Sequence, residues 1–449
     1  MSMQDDRSAE GSRRHHINNT TYQNINYGQR DQNINHGWYQ NINSGVQVGQ
    51  VVGNLTNNIF ATTATQYERL LNIIAGVGAS HTAEQQFERG HCLPGTRAKA
   101  FELIDDWVTS EHVPPICWLS GAAGVGKSAI AMTVAKSLEN KGLLAFSFFF
   151  FRSDPKRNNP SALMLSISHD LASTTPLIRS HIKNTLNENP KILDATLEDQ
   201  FRELVLEPAL AFDGVPAPPK IVIIDGLDEC GDEETQLRIL SILQSPCQPA
   251  SDATPLRFLI CSRPEAWIQE AFAADPLSQL SRMVVLNDSF EAREDIRRYC
   301  LHHFQEIISS QKYTQVRFPE PWPSEEDLRI LAERSCSQFI YVVTVVRFVK
   351  LAFKHPVDQL KVIIEKIPPR QRGTTPYREI DALYDIIIST NPDYEDVLPI
   401  LAAIIILPPH LKPCPACIEL LWGLPSGQVA STLRAMHSVL DIRNWDDTI

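Results

Sequence analysis

The chain has 449 residues, 43% of them hydrophobic and 21% charged, and a formal net charge of −12. That length carries a substantial core and roughly two to four domains, while the acidic balance argues against general binding to nucleic acid or to anionic membranes. Nine cysteines include one close pair, Cys414 and Cys417, without the second close pair that a sequence-level zinc signature needs.

The first 60 residues differ from all that follow, with 11 Asn and 7 Gln but no proline or lysine. A short unit recurs in them as QNINYG (23–28), QNINHG (32–37) and QNINSG (40–45), followed directly by Val46-Gln47-Val48-Gly49. Such a segment cannot bury a core, so 1–65 is expected to be a disordered low-complexity arm. Amide-rich, weakly charged stretches with β-branched residues are also what stacked in-register strands use. Residues 66–115 then show helical spacing in YERLLNIIAGV and RAKAFELIDDWV, which predicts a helical connector closed by Pro114-Pro115.

The strongest signal comes next. Ile116 to Leu119 form an apolar run, GAAGVGKS (121–128) fits G-x-x-x-x-G-K-[ST], and Ile130, Val134 and Leu138 recur at helical spacing. Strand, glycine loop and helix are the context a P-loop requires. Gly121, Gly124 and Gly126 let the backbone turn; with Ala122, Ala123, Val125 and Ala129 they place amide groups and a helix N-terminus around phosphate oxygens. Lys127 would reach the β- and γ-phosphates, and Ser128 would ligate Mg²⁺.

LAFSFFFF (144–151) reads as a fully buried strand, and Leu163, Ile167 and Leu171 mark a helix that Pro160 can start. IVIIDGLDE (221–229) is a buried strand ending in acids. Asp225 is placed to anchor Mg²⁺, with Asp228 and Glu229 one turn further, where a carboxylate can orient or deprotonate water. RFLICS (257–262) delivers Arg263 to a strand tip, where it can sense a γ-phosphate. With MVVL (283–286) as a further strand, 116–290 reads as a doubly wound parallel sheet. Beyond 290 the periodicity is helical, through EAREDIRRYCLHHFQEI, SEEDLRILAERS, FIYVVTVVRFVKLAF and DALYDIIIST to a compact helical unit at the end. The longest apolar runs, 339–349 and 398–409, fall short of a membrane span and no secretory signal opens the chain, so the expectation is a soluble, cytoplasmic protein.

These residues resemble the NACHT NTPases, a branch of the signal-transduction ATPases with numerous domains, in the form abundant in fungi. The resemblance covers roughly 90–449. It rests on GAAGVGKS, IVIIDGLDE, FLICSRPE, CLPGTR (92–97), FFFFRSDPKR (148–157) and QFIYVVTVVRFV (338–349). It implies a P-loop core over 116–290, a helical domain over 291–390 and a partial winged-helix domain over 391–449. It also implies a switch that ADP holds closed and ATP opens into a homo-oligomer, with slow hydrolysis, in innate-immunity or cell-death signalling. Ser337 departs from the family's glycine before Gln-Phe-Ile. No C-terminal repeat sensor follows, and His437 is a weak candidate for the winged-helix histidine.

The V-Q-V-G tetrad looks like the core of RHIM-type amyloid signalling motifs, which implies an effector sharing such a motif. The alternative is a scaffold that no longer switches and acts through its arm alone. The expected cofactors are ATP or ADP with Mg²⁺; the residues do not choose between ATP and GTP. No nucleic-acid partner and no membrane span are expected.

Overall fold

The computed structural model describes residues 46–47, 60–61, 65–83, 90–211, 219–245, 256–287, 290–351, 354–367, 377–407, 414–436 and 438–440. The QNINxG repeats and His437 lie outside them. The chain forms two compact units, Met1–Ile73 with Leu186–Pro190, and Ile74–Thr185 with Lys191–Ile449. In the first, Val46–Gln47 and Phe60–Ala61 pair as short antiparallel strands.

The second unit is built on five parallel strands: β1 (Ile116–Gly121), β2 (Leu144–Phe149), β3 (Lys220–Asp225), β4 (Leu256–Ser262) and β5 (Ser281–Leu286). Their order is β2-β3-β4-β1-β5. β1 and β4 are buried along their whole length, which is why they appear in the sequence as unbroken apolar runs. At one edge, β5 buries Val284 and Leu286 but exposes Met283 and Val285. At the other, residues 79–81 run beside β2, with the Phe149 amide donating to the Ala79 carbonyl at 2.9 Å. That cover removes a free strand edge.

Side chains alternate between the two faces of the sheet. Cys117, Leu119, Ile221, Ile223, Leu259 and Cys261 pack with helices α1 (Ala98–Thr109) and α2 (Lys127–Asn140) in one core. On the other face Trp118 stacks on Phe272, with ring centroids 4.3 Å apart. Helix α3 (Pro160–Thr174) starts at the proline the sequence marks, and the Asn159 side chain accepts from the Ser161 amide.

The buried strand expected over 144–151 is shorter. β2 ends at Phe149, Phe150 is buried, and Phe151 is 39% exposed. The chain bends there because the Phe151 amide turns to the Arg157 carbonyl, and the Arg157 guanidinium lies 4.6 Å from the Phe151 ring centre.

From residue 290 onward the described elements are helical: α4 (Phe290–Ser309), α5 (Glu325–Ser335), α6 (Phe339–Val349), α7 (Pro356–Lys366), α8 (Tyr377–Ser389), α9 (Tyr394–Ile406), α10 (Pro415–Trp422) and the short Gln428–Thr432. They share one apolar core, including Phe304, Leu331, Val345, Ile363, Leu383, Ile400 and Ile418. Helix α5 opens with a reciprocal cap, Ser324 and Asp327 each accepting from the other's amide. Among the described residues no helix is long and apolar enough to cross a membrane.

Arg334, on α5, is buried, and its guanidinium donates to the carbonyls of Ile363 (3.0 Å), Ile364 (3.1 Å) and Ile367 (2.7 Å) at the end of α7. It satisfies acceptors that the last helical turn leaves without partners. Arg334→Met should therefore destabilise the protein by about 3 kcal/mol, since buried carbonyls lose charge-assisted partners. A lower denaturant midpoint at unchanged slope is the expected reading.

Candidate functional site

The β1–α2 loop owes its shape to glycines in the left-handed region. Gly124 has φ 75° and Gly126 φ 96°, conformations that side-chain-bearing residues adopt only under strain. A Cβ on Gly124 would lie 2.3 Å from Ile340 Cγ2, whereas one on Gly126 would meet nothing within 4 Å. The first glycine is therefore demanded by a neighbour as well as by the turn. Gly121 is crowded too, since a Cβ there would approach Val125 Cγ2 to 2.9 Å.

Lys127 curls over this loop, and its Nζ donates to the carbonyls of Gly121 (2.7 Å) and Ala122 (2.9 Å). Burial pushes its pKa below the ordinary lysine value, and Asp228 and Asp225 pull it back up. An ammonium partly withdrawn from water favours an anion beside it.

Asp225 ends β3 and is 1% exposed. Gly226, at φ 75°, then turns the chain into a single 3₁₀ turn over Leu227–Glu229. Asp228 is 3% exposed. Its Oδ1 accepts from the Arg263 amide at 2.9 Å, and its Oδ2 stands 3.2 Å from Arg263 Nε. Glu229 Oε2 accepts from the Arg152 amide at 3.2 Å, and the Arg152 guanidinium donates to the Asp228 carbonyl at 2.9 Å.

These groups border a cleft of about 760 Å³. Of the residues expected at the site, Ala123, Gly124, Val125, Gly126, Lys127, Ser128, Ala129, Asp225, Asp228, Glu229 and Arg263 line it. Gly121 and Ala122 do not. They form the base of the loop and hold Lys127 through their carbonyls. Ser128 and Asp225 offer hard oxygen donors of the kind Mg²⁺ takes, and the loop's amides and Lys127 offer donors for phosphate, so the residues present fit both.

Other cleft residues carried no individual role in the sequence reading. Arg97, the last residue of CLPGTR, sits in the left-handed region at φ 57°. Its guanidinium donates to the Val125 carbonyl and lies 4.8 Å from the Phe339 ring centre. Its amide donates to Asp295 Oδ2 at 2.9 Å. From the helical region come Tyr299, His303, Phe339, Ile340 and Lys350. Tyr299 meets Phe339 edge-on at 5.7 Å and His303 at 4.3 Å. The motif resemblance flagged Arg97 and Phe339. Tyr299 and His303 had no signal beyond their place on one helix face.

At the start of α6 the Ile340 amide donates to the Gly124 carbonyl at 3.1 Å. The turn that delivers it holds Cys336 at φ 49° and Ser337 at φ 64°. Ser337, where the resembled family has glycine, thus keeps the left-handed turn and accepts its strain.

The family profile described as Nephrocystin 3, N-terminal, matches residues 98–263, a span running from α1 through the P-loop and the acidic turn to Arg263. No curated protein matches the chain. Among solved structures, the ADP form of the Aeropyrum pernix ORC2 protein is similar at 13% identity over 79% of this chain and 84% of that one, with a TM-score of 0.34. The Drosophila ORC bound to DNA is similar at 10% identity over 88% and 87%, also with a TM-score of 0.34. The DNA in that complex is a property of that complex. At this TM-score it carries no argument about this chain, and the expectation against nucleic acid gains no support from it. The α/β core, with its glycine loop, its half-buried lysine and the acid-tipped β3 one strand removed from β1, is a P-loop NTPase fold.

Proposed function

We propose that the chain is a nucleotide-operated signalling switch of the NACHT type, binding ATP or ADP with Mg²⁺ in the cleft. The observation that carries this reading is the contact between the Gly124 carbonyl and the Ile340 amide. It ties the phosphate-binding loop to the first turn of α6, in the middle of the helical core. A loop that adjusts to its phosphates cannot do so without moving that helix or breaking that bond.

In this reading the loop amides and Lys127 hold the phosphates, and Ser128 and Asp225 hold the metal, which neutralises phosphate charge when bound. Arg263 reports the γ-phosphate. Its guanidinium is held by Asp228, and a γ-phosphate would compete for it, freeing the carboxylate to orient water together with Glu229. Hydrolysis is slow, ADP holds the closed form, and exchange for ATP leads to a homo-oligomer in the cytoplasm. Residues 291–390 act as the helical domain, 391–449 as a partial winged helix, and innate-immunity or cell-death signalling is the output.

A second reading makes the core a passive scaffold and the arm the active part, docking an effector that carries the same amyloid-type motif. The strand at Val46–Gln47 of the V-Q-V-G tetrad favours it, because strand pairing is what such templating needs.

The nucleotide released on denaturing the purified full chain decides between the two. Stoichiometric ADP supports the switch; an empty site that also takes up no labelled ATP would sink it and leave the scaffold. Lys127→Ala should weaken nucleotide binding roughly a hundredfold, the loss of charge-assisted bonds to phosphate, and equilibrium binding measures it. Asp228→Asn should leave binding intact while slowing turnover and loosening Arg263, so an unchanged hydrolysis rate would move the water-orienting role elsewhere. Gly124→Ala forces a methyl into Ile340 and should cost about 2 kcal/mol. It should also speed hydrogen exchange across the start of α6 more than Gly126→Ala, which strains its own turn but puts nothing against Ile340.

A further inference from the structure

On α4, at the helical side of the cleft, His302, His303 and Glu306 bring three ligand atoms within 4.8 Å of one another. Their spacing, i to i+4 and i to i+3, stacks them on one helix face. His302 Nε2 lies 3.4 Å from Glu306 Oε1, and His303 Nδ1 lies 2.8 Å from Oε2. Tetrahedral metal–ligand bonds of about 2.0–2.2 Å put neighbouring ligand atoms roughly 3.3–3.6 Å apart, so these atoms, now within 4.8 Å of one another, must draw together by about an ångström to share an ion. Packing of Tyr299 on the His303 ring restrains one imidazole. A cation already sits at the carboxylate: Lys350 Nζ is 3.0 Å from Glu306 Oε2.

We propose that His302, His303 and Glu306 form a binding site for a divalent transition-metal ion of the zinc class, and that this ion and the Lys350 ammonium compete for Glu306. Two imidazoles and one carboxylate suit zinc, cobalt or nickel, whereas Mg²⁺ prefers oxygen donors. A fourth position stays open for water. His303 binds through Nδ1 by moving its proton to Nε2, so the ring stays neutral. His303 and Lys350 both line the nucleotide cleft. An ion at Glu306 therefore releases the Lys350 ammonium toward the cleft, where it strengthens binding of a polyphosphate. This last step rests on the nucleotide reading; the metal site itself does not.

The test uses the untagged full chain, freed of nucleotide and titrated with zinc alone by calorimetry. One ion per chain is expected. Even outer partners of metal ligands are worth about 10–100-fold in affinity, so His302→Ala and Glu306→Gln should each cost at least tenfold. His355→Ala, a histidine 3.8 Å from Asp358 and outside the cluster, should cost nothing. Cobalt should give a spectrum without a thiolate charge-transfer band, which separates this site from Cys414 and Cys417. Absence of stoichiometric zinc, wild-type affinity in both cluster variants, or a thiolate band would each overturn the site. Saturating zinc should then raise nucleotide affinity severalfold in the wild type and not in Lys350→Ala. Bound zinc with no such change would overturn the competition with Lys350. A chain that binds zinc but no nucleotide would instead defeat the switch reading and leave the metal site standing.

Discussion

Everything about this molecule turns on the few ångströms between the phosphate loop and the start of α6. The Gly124 carbonyl receives the Ile340 amide, and no side chain fits between them. A close backbone approach of this kind is unforgiving, because the hydrogen bond and the steric limit act on the same atom group. The loop is thus supported from two sides: Arg97 holds the Val125 carbonyl from below, and α6 holds Gly124 from the helical core.

The electrostatics of the cleft follow the same logic. Asp225 and Asp228 are buried, and the half-buried Lys127 is drawn back onto its own loop. Asp228 is spoken for by Arg263 and Glu229 by the Arg152 amide. Asp228 is buried, so its bonds are worth more than they would be in water, and a stronger charge can draw their partners away. A polyphosphate with its metal is such a charge. The arrangement has its cations close to acids at one end and its aromatic wall, Tyr299 with Phe339 and His303, on the helical side.

Much of the core was legible along the chain. The runs at 116–121, 220–225 and 256–262 are continuous because those strands are covered on both faces, and the Asn159-Pro160 start of α3 and the Ser324–Asp327 cap of α5 are local chemistry. The end of β2 was not legible, because Phe150 and Phe151 are equally apolar and only the turn toward Arg157 separates them. Arg334 stands among the many charges of SEEDLRILAERS, yet it is buried and caps α7. A cap supplied from another helix leaves no mark at either place in the sequence.

By itself the sequence determined the parts whose causes are local: the glycine loop, the acids after β3, the alternation of strand and helix, and the caps. Backbone sterics and hydrophobic periodicity act over a few residues, so they are written in neighbouring letters. Only the tertiary structure decided which distant groups meet. It set the strand order β2-β3-β4-β1-β5, paired Arg263 with Asp228, and put Arg97, Tyr299, His303 and Lys350 on the cleft. Those meetings depend on how whole layers pack against one another, a many-body outcome of burial and shape that no short window of residues contains.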